Sequence, residues 1–248
     1  MKKTLRDSLK WSIGVTLAMG WVLAQAANFT VSPIRVDLSQ ARPSVALTVK
    51  NEVADEPLIV QLRTVAWSQD NGVDVHGPTT EVLATPPIFT VPPGGSQVVR
   101  IGLRRPPGPE REASYRLYLR EVPPAPKPDF AGVQIALEMS LPVFANPNAP
   151  TTPELRWKAE TEENGRIKLS VKNDGNAHAK VSNLIVSASD SNRPVAALPG
   201  FAYILPGQTR NLLLEPAPGQ MVIKGSALRL KANTDAGEID LPLSAQSQ

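Results

Sequence analysis

Twenty-five prolines and a series of Pro/Gly corners cut this 248-residue chain into short pieces, and within the pieces apolar and polar residues alternate. A period of two puts every second side chain on one face of an extended strand, whereas a helical face repeats about every 3.6 residues. Proline inside a helix also removes a hydrogen bond and clashes with the preceding turn. The pattern therefore predicts an all-β protein. Val45, Leu47 and Val49 alternate in one run, Tyr115, Leu117 and Leu119 in a second, and Ile167, Leu169 and Val171 in a third.

Turn spacing predicts strands over 29–38, 44–51, 58–67, 81–84, 96–103, 114–122 and 132–144, then over 154–159, 166–173, 179–188, 201–205, 210–215, 227–233 and 238–242. Seven short strands in each half fit two immunoglobulin-like sandwiches. Leu47-Thr48-Val49-Lys50-Asn51 and Leu169-Ser170-Val171-Lys172-Asn173 repeat one motif 122 residues apart, as two copies of one topology would. The polar, proline-rich stretch Asn146 to Pro153 marks the division, so the domains are expected at 27–148 and 149–248.

Lys2, Lys3, Arg6 and Lys10 precede an apolar stretch from Trp11 to Leu23, and Ala24-Gln25-Ala26 offers the small residues a signal peptidase needs. Residues 1–26 are thus expected to be a cleaved secretory signal peptide, cut after Ala26 or Ala27. Its removal takes away four basic residues and one acidic one, leaving 22 of each sign. No basic tract interleaved with aromatics remains, so nucleic acid is not an expected partner. The chain has no cysteine, so in an oxidising compartment it must rely on packing alone.

Nothing in the sequence assembles a catalytic or metal constellation. His76 and His178 are the only histidines, both in turn-like contexts, and read as surface or loop residues. Metal-ligand spacings, nucleophile elbows and phosphate-binding glycine loops are missing, so no enzyme activity, cofactor or small-molecule substrate is expected.

The longest alternating ladder is Val133, Ile135, Leu137, Met139 and Leu141. Such a row can fill its own core or be lent to another chain. The preceding loop, Pro123-Pro124-Ala125-Pro126-Lys127-Pro128-Asp129-Phe130, is rigid and charged, features that discourage self-pairing beside an exposed strand edge.

Several segments together resemble the periplasmic pilus-assembly chaperones of the chaperone/usher pathway. They are Val31-Ser32-Pro33-Ile34-Arg35-Val36-Asp37-Leu38, Ala84-Thr85-Pro86-Pro87 with Pro93-Gly94-Gly95-Ser96-Gln97-Val98-Val99-Arg100, Tyr115 through Pro124, and the ladder at 133–144. Domain two is similar more loosely, at Asn173-Asp174-Gly175-Asn176-Ala177 and Leu205-Pro206-Gly207-Gln208. The resemblance implies two immunoglobulin-like domains set as an L and a periplasmic location. It also implies a non-enzymatic role: lending a β-strand to a pilus subunit and delivering that subunit to an outer-membrane usher. The ladder residues Val133, Ile135, Leu137, Met139 and Leu141 would then enter the subunit.

The family also anchors the subunit's C-terminal carboxylate with two basic side chains. Arg35 falls on the first, whereas Pro142 stands at the second. Arg116, on the opposite face of its strand from Tyr115, Leu117 and Leu119, is the leading replacement, and Arg100 the next. Glu121 and Asp235 match acidic members of the family's interdomain ionic link, but Asn146 stands where its arginine would be. These departures, with Leu141-Pro142-Val143-Phe144, place the resemblance nearer the archaic branch. The competing readings are a secreted two-domain fimbrial subunit or surface adhesin, and a secreted enzyme on a sandwich scaffold. Weak self-association of the free chain stays open as well.

Overall fold

The structure, a computed structural model, describes residues 29–124, 133, 135–162, 165–190, 193–220, 222 and 225–246. The expected signal segment with its cleavage site, residues 125–130 of the proline loop and residues 132 and 134 of the expected 132–144 strand lie outside the described residues.

The first half contains β1 (Phe29–Ser32), β2 (Val36–Leu38), β3 (Ser44–Asn51), β4 (Leu58–Asp70), β5 (Val73–Pro78), β6 (Val82–Thr85), β7 (Ile88–Val91), β8 (Ser96–Leu103), β9 (Ala113–Glu121) and β10 (Glu138–Ala145). A four-stranded sheet in the order β1-β3-β8-β6 faces a second sheet in the order β2-β10-β9-β4-β5, with β7 also on β4. The alternating residues do what their spacing predicts. Val45, Leu47, Val49, Val99 and Ile101 from one sheet, and Leu62, Tyr115, Leu117 and Leu119 from the other, meet in one core. Each such side chain contributes about 1.5–3 kcal/mol when fully buried.

The second half contains β11 (Leu155–Thr161), β12 (Ile167–Asn173), β13 (Ala179–Ala188), β14 (Pro194–Ala197), β15 (Phe201–Ile204), β16 (Thr209–Leu214), β17 (Ala227–Thr234) and β18 (Gly237–Gln246). It has a separate core that includes Ile167, Leu169, Val171, Val181, Leu184, Leu212 and Leu230. Among the described residues there is no helix.

Three departures from the expected strands have local causes. The run at 29–38 is two strands, because the chain leaves β3 in one sheet and joins β10 in the other around Pro33. Strands β5, β7 and β14 are too short or too polar to show as runs. The ladder expected over 132–144 becomes a strand only at Glu138. Its partner β9 ends at Glu121, whose N–H bonds to Leu137 O at 2.9 Å. Val122 then donates to Ile59, and Pro123 and Pro124 have no N–H to offer.

The repeated motif ends in equivalent structure. Asn51 and Asn173 are both fully buried, and each amide ties its strand end to the following turns. Asn51 donates to Glu56 O at 2.8 Å and accepts from Val53 N at 3.0 Å. Asn173 donates to Ala177 O at 2.7 Å and Ile204 O at 3.1 Å, and accepts from Gly175 N and Glu154 N, both at 3.0 Å. Alanine at either position strands buried backbone groups. Asn51→Ala and Asn173→Ala are each expected to lose about 1–3 kcal/mol in chemical denaturation, whereas an exposed asparagine changes stability by less than about 0.5 kcal/mol.

Candidate subunit-binding site

Strand β10 joins the two possible fates of the apolar ladder. Leu141 packs in the domain's own core opposite Leu117, Met139 and Leu137 are half-buried at its rim, and Ile135 and Val133 are 80% and 87% exposed. Of the expected donor residues, then, Leu141 is corrected to core. The strand enters the sandwich there, and removing Leu141 from it would open the native packing.

The outer edge of β10 is open where it matters. Strand β2 pairs in parallel with β10 only from Val143 to Ala145, and among the described residues no strand covers Glu138–Leu141 on the side away from β9. Pro142 sits at the step between the open and covered parts, where a missing N–H breaks no observed β2 pair.

The register sets the basic residues around that step. Pro142 lies opposite Arg116 on β9, and Arg35 immediately precedes the Val36–Val143 pair. Arg35 and Arg116 thus flank Pro142. Arg100 is not with them: it projects from the exposed face of β8 in the other sheet, between the buried Val99 and Ile101. Alternation correctly turns Arg100 away from the core, but sheet membership places it elsewhere.

Arg116 is half-buried, its guanidinium carbon 3.7 Å from the Trp67 ring centre and 5.9 Å from that of Tyr203. Burial pulls its pKa down, and the nearby Asp74, Tyr203 and Tyr118 only partly restore it. Asp74 is already engaged by Arg210 at 2.9 Å and by Trp67 Nε1 at 3.0 Å. Among the described residues no carboxylate lies within 4 Å of Arg116. Such a stacked, incompletely compensated fork suits an incoming carboxylate. Arg35 differs. Burial opposes its charge, but Asp37, bonded to Nε at 2.9 Å, and Asp235 outweigh that and raise its pKa.

Trp67, Phe144, Tyr203 and Leu205 form a small buried cluster between the two cores. His178 stacks on Phe144 with ring centres 3.5 Å apart and planes 6° apart, and its Nδ1 lies 2.8 Å from Glu112. The expected surface histidine is therefore a largely covered interdomain ring, with its side chain 10% exposed. Gln69 closes the joint on its other side, donating to Tyr203 O at 2.8 Å and accepting from Leu205 N at 3.0 Å. Gly72 bridges to Arg210 with φ of 82°, and a Cβ there would fall on Asn211. The sequence carried a signal for this interface: Leu141–Ala145 is apolar without alternation, as a strand buried on both faces requires.

His76 stands edge-on to Tyr118 at 6.0 Å. Burial, with Arg116 and Arg63, holds its pKa below the ordinary histidine value. A folded-state pKa below the unfolded one gives stability above about pH 6.5 that is lost as pH falls through the folded value. An NMR titration is expected to show this low pKa, and Arg116→Ala should raise it.

The geometry defines a two-domain immunoglobulin-like protein with an open strand edge running into a basic cleft. A family model described as pili and flagellar-assembly chaperone, PapD N-terminal domain, matches residues 28–151, half of the chain, and the chain belongs to that family. Chaperone protein PmfD of Proteus mirabilis (strain HI4320) is 28% identical over 151 residues, 58% of this chain and 56% of that protein. This chain thus spans little more than half the length of PmfD. Chaperone protein FaeE of Escherichia coli is 27% identical over 234 residues, 92% of this chain and 83% of that protein.

Among solved structures, the fold is shared with the CsuC–CsuE chaperone–tip adhesion subunit pre-assembly complex from archaic chaperone-usher Csu pili of Acinetobacter baumannii. The TM-score is 0.66 at 20% identity, covering 90% of this chain and 100% of that one. The complex of Salmonella enterica SafA pilin with the SafB chaperone matches with a TM-score of 0.58 at 21% identity, covering 88% and 95%.

Proposed function

We propose that this chain is a periplasmic chaperone that lends the 133–139 segment to a pilus subunit, anchors the subunit's C-terminal carboxylate between Arg35 and Arg116, and passes the subunit to an outer-membrane usher. The observation that carries this reading is the open outer edge of Glu138–Leu141, continuous with the exposed Ile135 and Val133 and ending at the two arginines. A strand added there brings its C-terminus to the guanidinium groups only if it runs parallel to β10, since β2 already occupies the edge beyond Val143. The aliphatic residues enter subunit pockets, the backbone completes a ladder, and the charge fixes the register. No covalent step is needed. Residues 1–26 direct export and are then cleaved, and the domains divide between 148 and 149 in this reading.

Ile135→Asp tests it. The exposed position leaves the fold intact, while a carboxylate in an apolar subunit pocket is not tolerated. Periplasmic pull-down with the subunits of the host's own fimbrial operon is expected to give a stoichiometric complex with the wild type and none with Ile135→Asp. Equal capture by both would overturn strand lending through this segment.

A further inference from the structure

The two anchor arginines are not equally free. Arg35 is already met by a carboxylate from the other half of the molecule: Asp235 Oδ2 lies 3.7 Å from its Nη1. Asp235 occupies the two-residue turn between β17 and β18. Thr234 fixes that turn, its hydroxyl donating to Gly237 O at 2.8 Å and accepting from Ala236 N at 3.2 Å. The same Asp235 oxygen stands 4.0 Å from His178 Nε2, on the ring that stacks against Phe144. Asp37 takes the Nε side of Arg35 and orients it, so the terminal nitrogens are the part turned toward Asp235. Among the described residues no oxygen is hydrogen-bonded to those terminal nitrogens. The Asp235 contact is therefore electrostatic and displaceable, with both partners substantially exposed at 42% and 50%.

We infer that Asp235 is a positioning residue that stands in for the subunit's terminal carboxylate at Arg35 while the chaperone is empty, and is displaced when that carboxylate arrives. This rests on the carboxylate-anchor reading proposed above. Arg116, which among the described residues has no carboxylate within 4 Å, is the uncompensated charge of the pair. The free protein thereby carries one compensated and one open cationic site in a single cleft. That arrangement disfavours stray anions at Arg35 without abolishing capture.

The test uses the mature chain and a short soluble peptide alternating valine with serine and lysine, in two forms, one ending in a free carboxylate and the other in an amide. Binding is followed by NMR on the arginine Nε–H signals. The acid-over-amide preference isolates the anchor from the strand contacts. Wild type is expected to prefer the acid. Asp235→Asn is expected to widen that preference by about two- to fivefold, the range of an exposed ion pair, and Asp235→Glu to return it to wild type. A merely structural role for Asp235 would move both peptide forms together. An unchanged or narrowed preference in Asp235→Asn, with wild type still favouring the acid, overturns the role of Asp235 and leaves the anchor standing. Equal binding of acid and amide by wild type and Asp235→Asn alike overturns the anchor itself.

Discussion

Phe144→Ala is expected to lower stability by about 3–5 kcal/mol, the usual range for removing a fully buried aromatic side chain. Phe144 is completely buried, yet it does not belong to either sandwich core. Its neighbours Val143 and Ala145 point into the N-terminal core, while its ring points outward against Trp67, Tyr203 and His178. Alanine leaves a cavity between the two halves and removes the stack that holds His178 beside Glu112. For a chain of this size the melting temperature is expected to fall by about 10 °C or more. Differential scanning calorimetry should also resolve two transitions, because the joint that couples the cores is lost. Phe201→Ala is the control. Its ring is 56% exposed and contacts the same Tyr203, so its loss is expected to cost less than about 1 kcal/mol. Equal losses for the two variants would show that the aromatic cluster does not couple the halves.

Arg116→Ala is expected to weaken subunit capture by about ten- to hundredfold, as loss of a charge-assisted hydrogen-bonded contact worth about 1.5–3 kcal/mol does. Stability is expected to change by less than about 1 kcal/mol in the same variant, because relief of the buried charge offsets the lost stacking on Trp67. The direction of the pKa supports this sign. Arg116 is held below its ordinary value, so its protonated form is less comfortable folded than unfolded. Arg116→Lys keeps the charge but loses both the planar stack and the bidentate fork, and should recover little of the affinity. Affinity lost in step with stability would instead mark Arg116 as a structural residue.

These two side chains also show where local pattern stops being informative. Alternation along 114–122 is enough to turn Arg116 away from the core, and alternation along 96–103 does the same for Arg100. Only pairing separates them, since Arg116 lies opposite Pro142 beside the cleft and Arg100 opposite Ala46 in the other sheet. His178 sits in a turn-like sequence and is nonetheless sealed between domains, by Phe144 from 34 residues earlier in the chain. Asn146 donates its N–H to Leu38 O, and Asp235 finds an arginine across the joint in Arg35.

What the sequence by itself determined is the all-β character, strands such as 44–51, 96–103 and 179–188 to the residue, the repeated Asn-ended motif and the apolar row leading to Leu141. Each follows from local rules: the two-residue period, proline and glycine corners, and the need to bury aliphatic side chains. What only the tertiary structure decided is where that row leaves the core, which edge of β10 stays open, and which arginine lies opposite Pro142. Those depend on registers between strands far apart in the chain. A register is set by packing across the whole sandwich, and a local pattern of alternating residues fits several registers equally well.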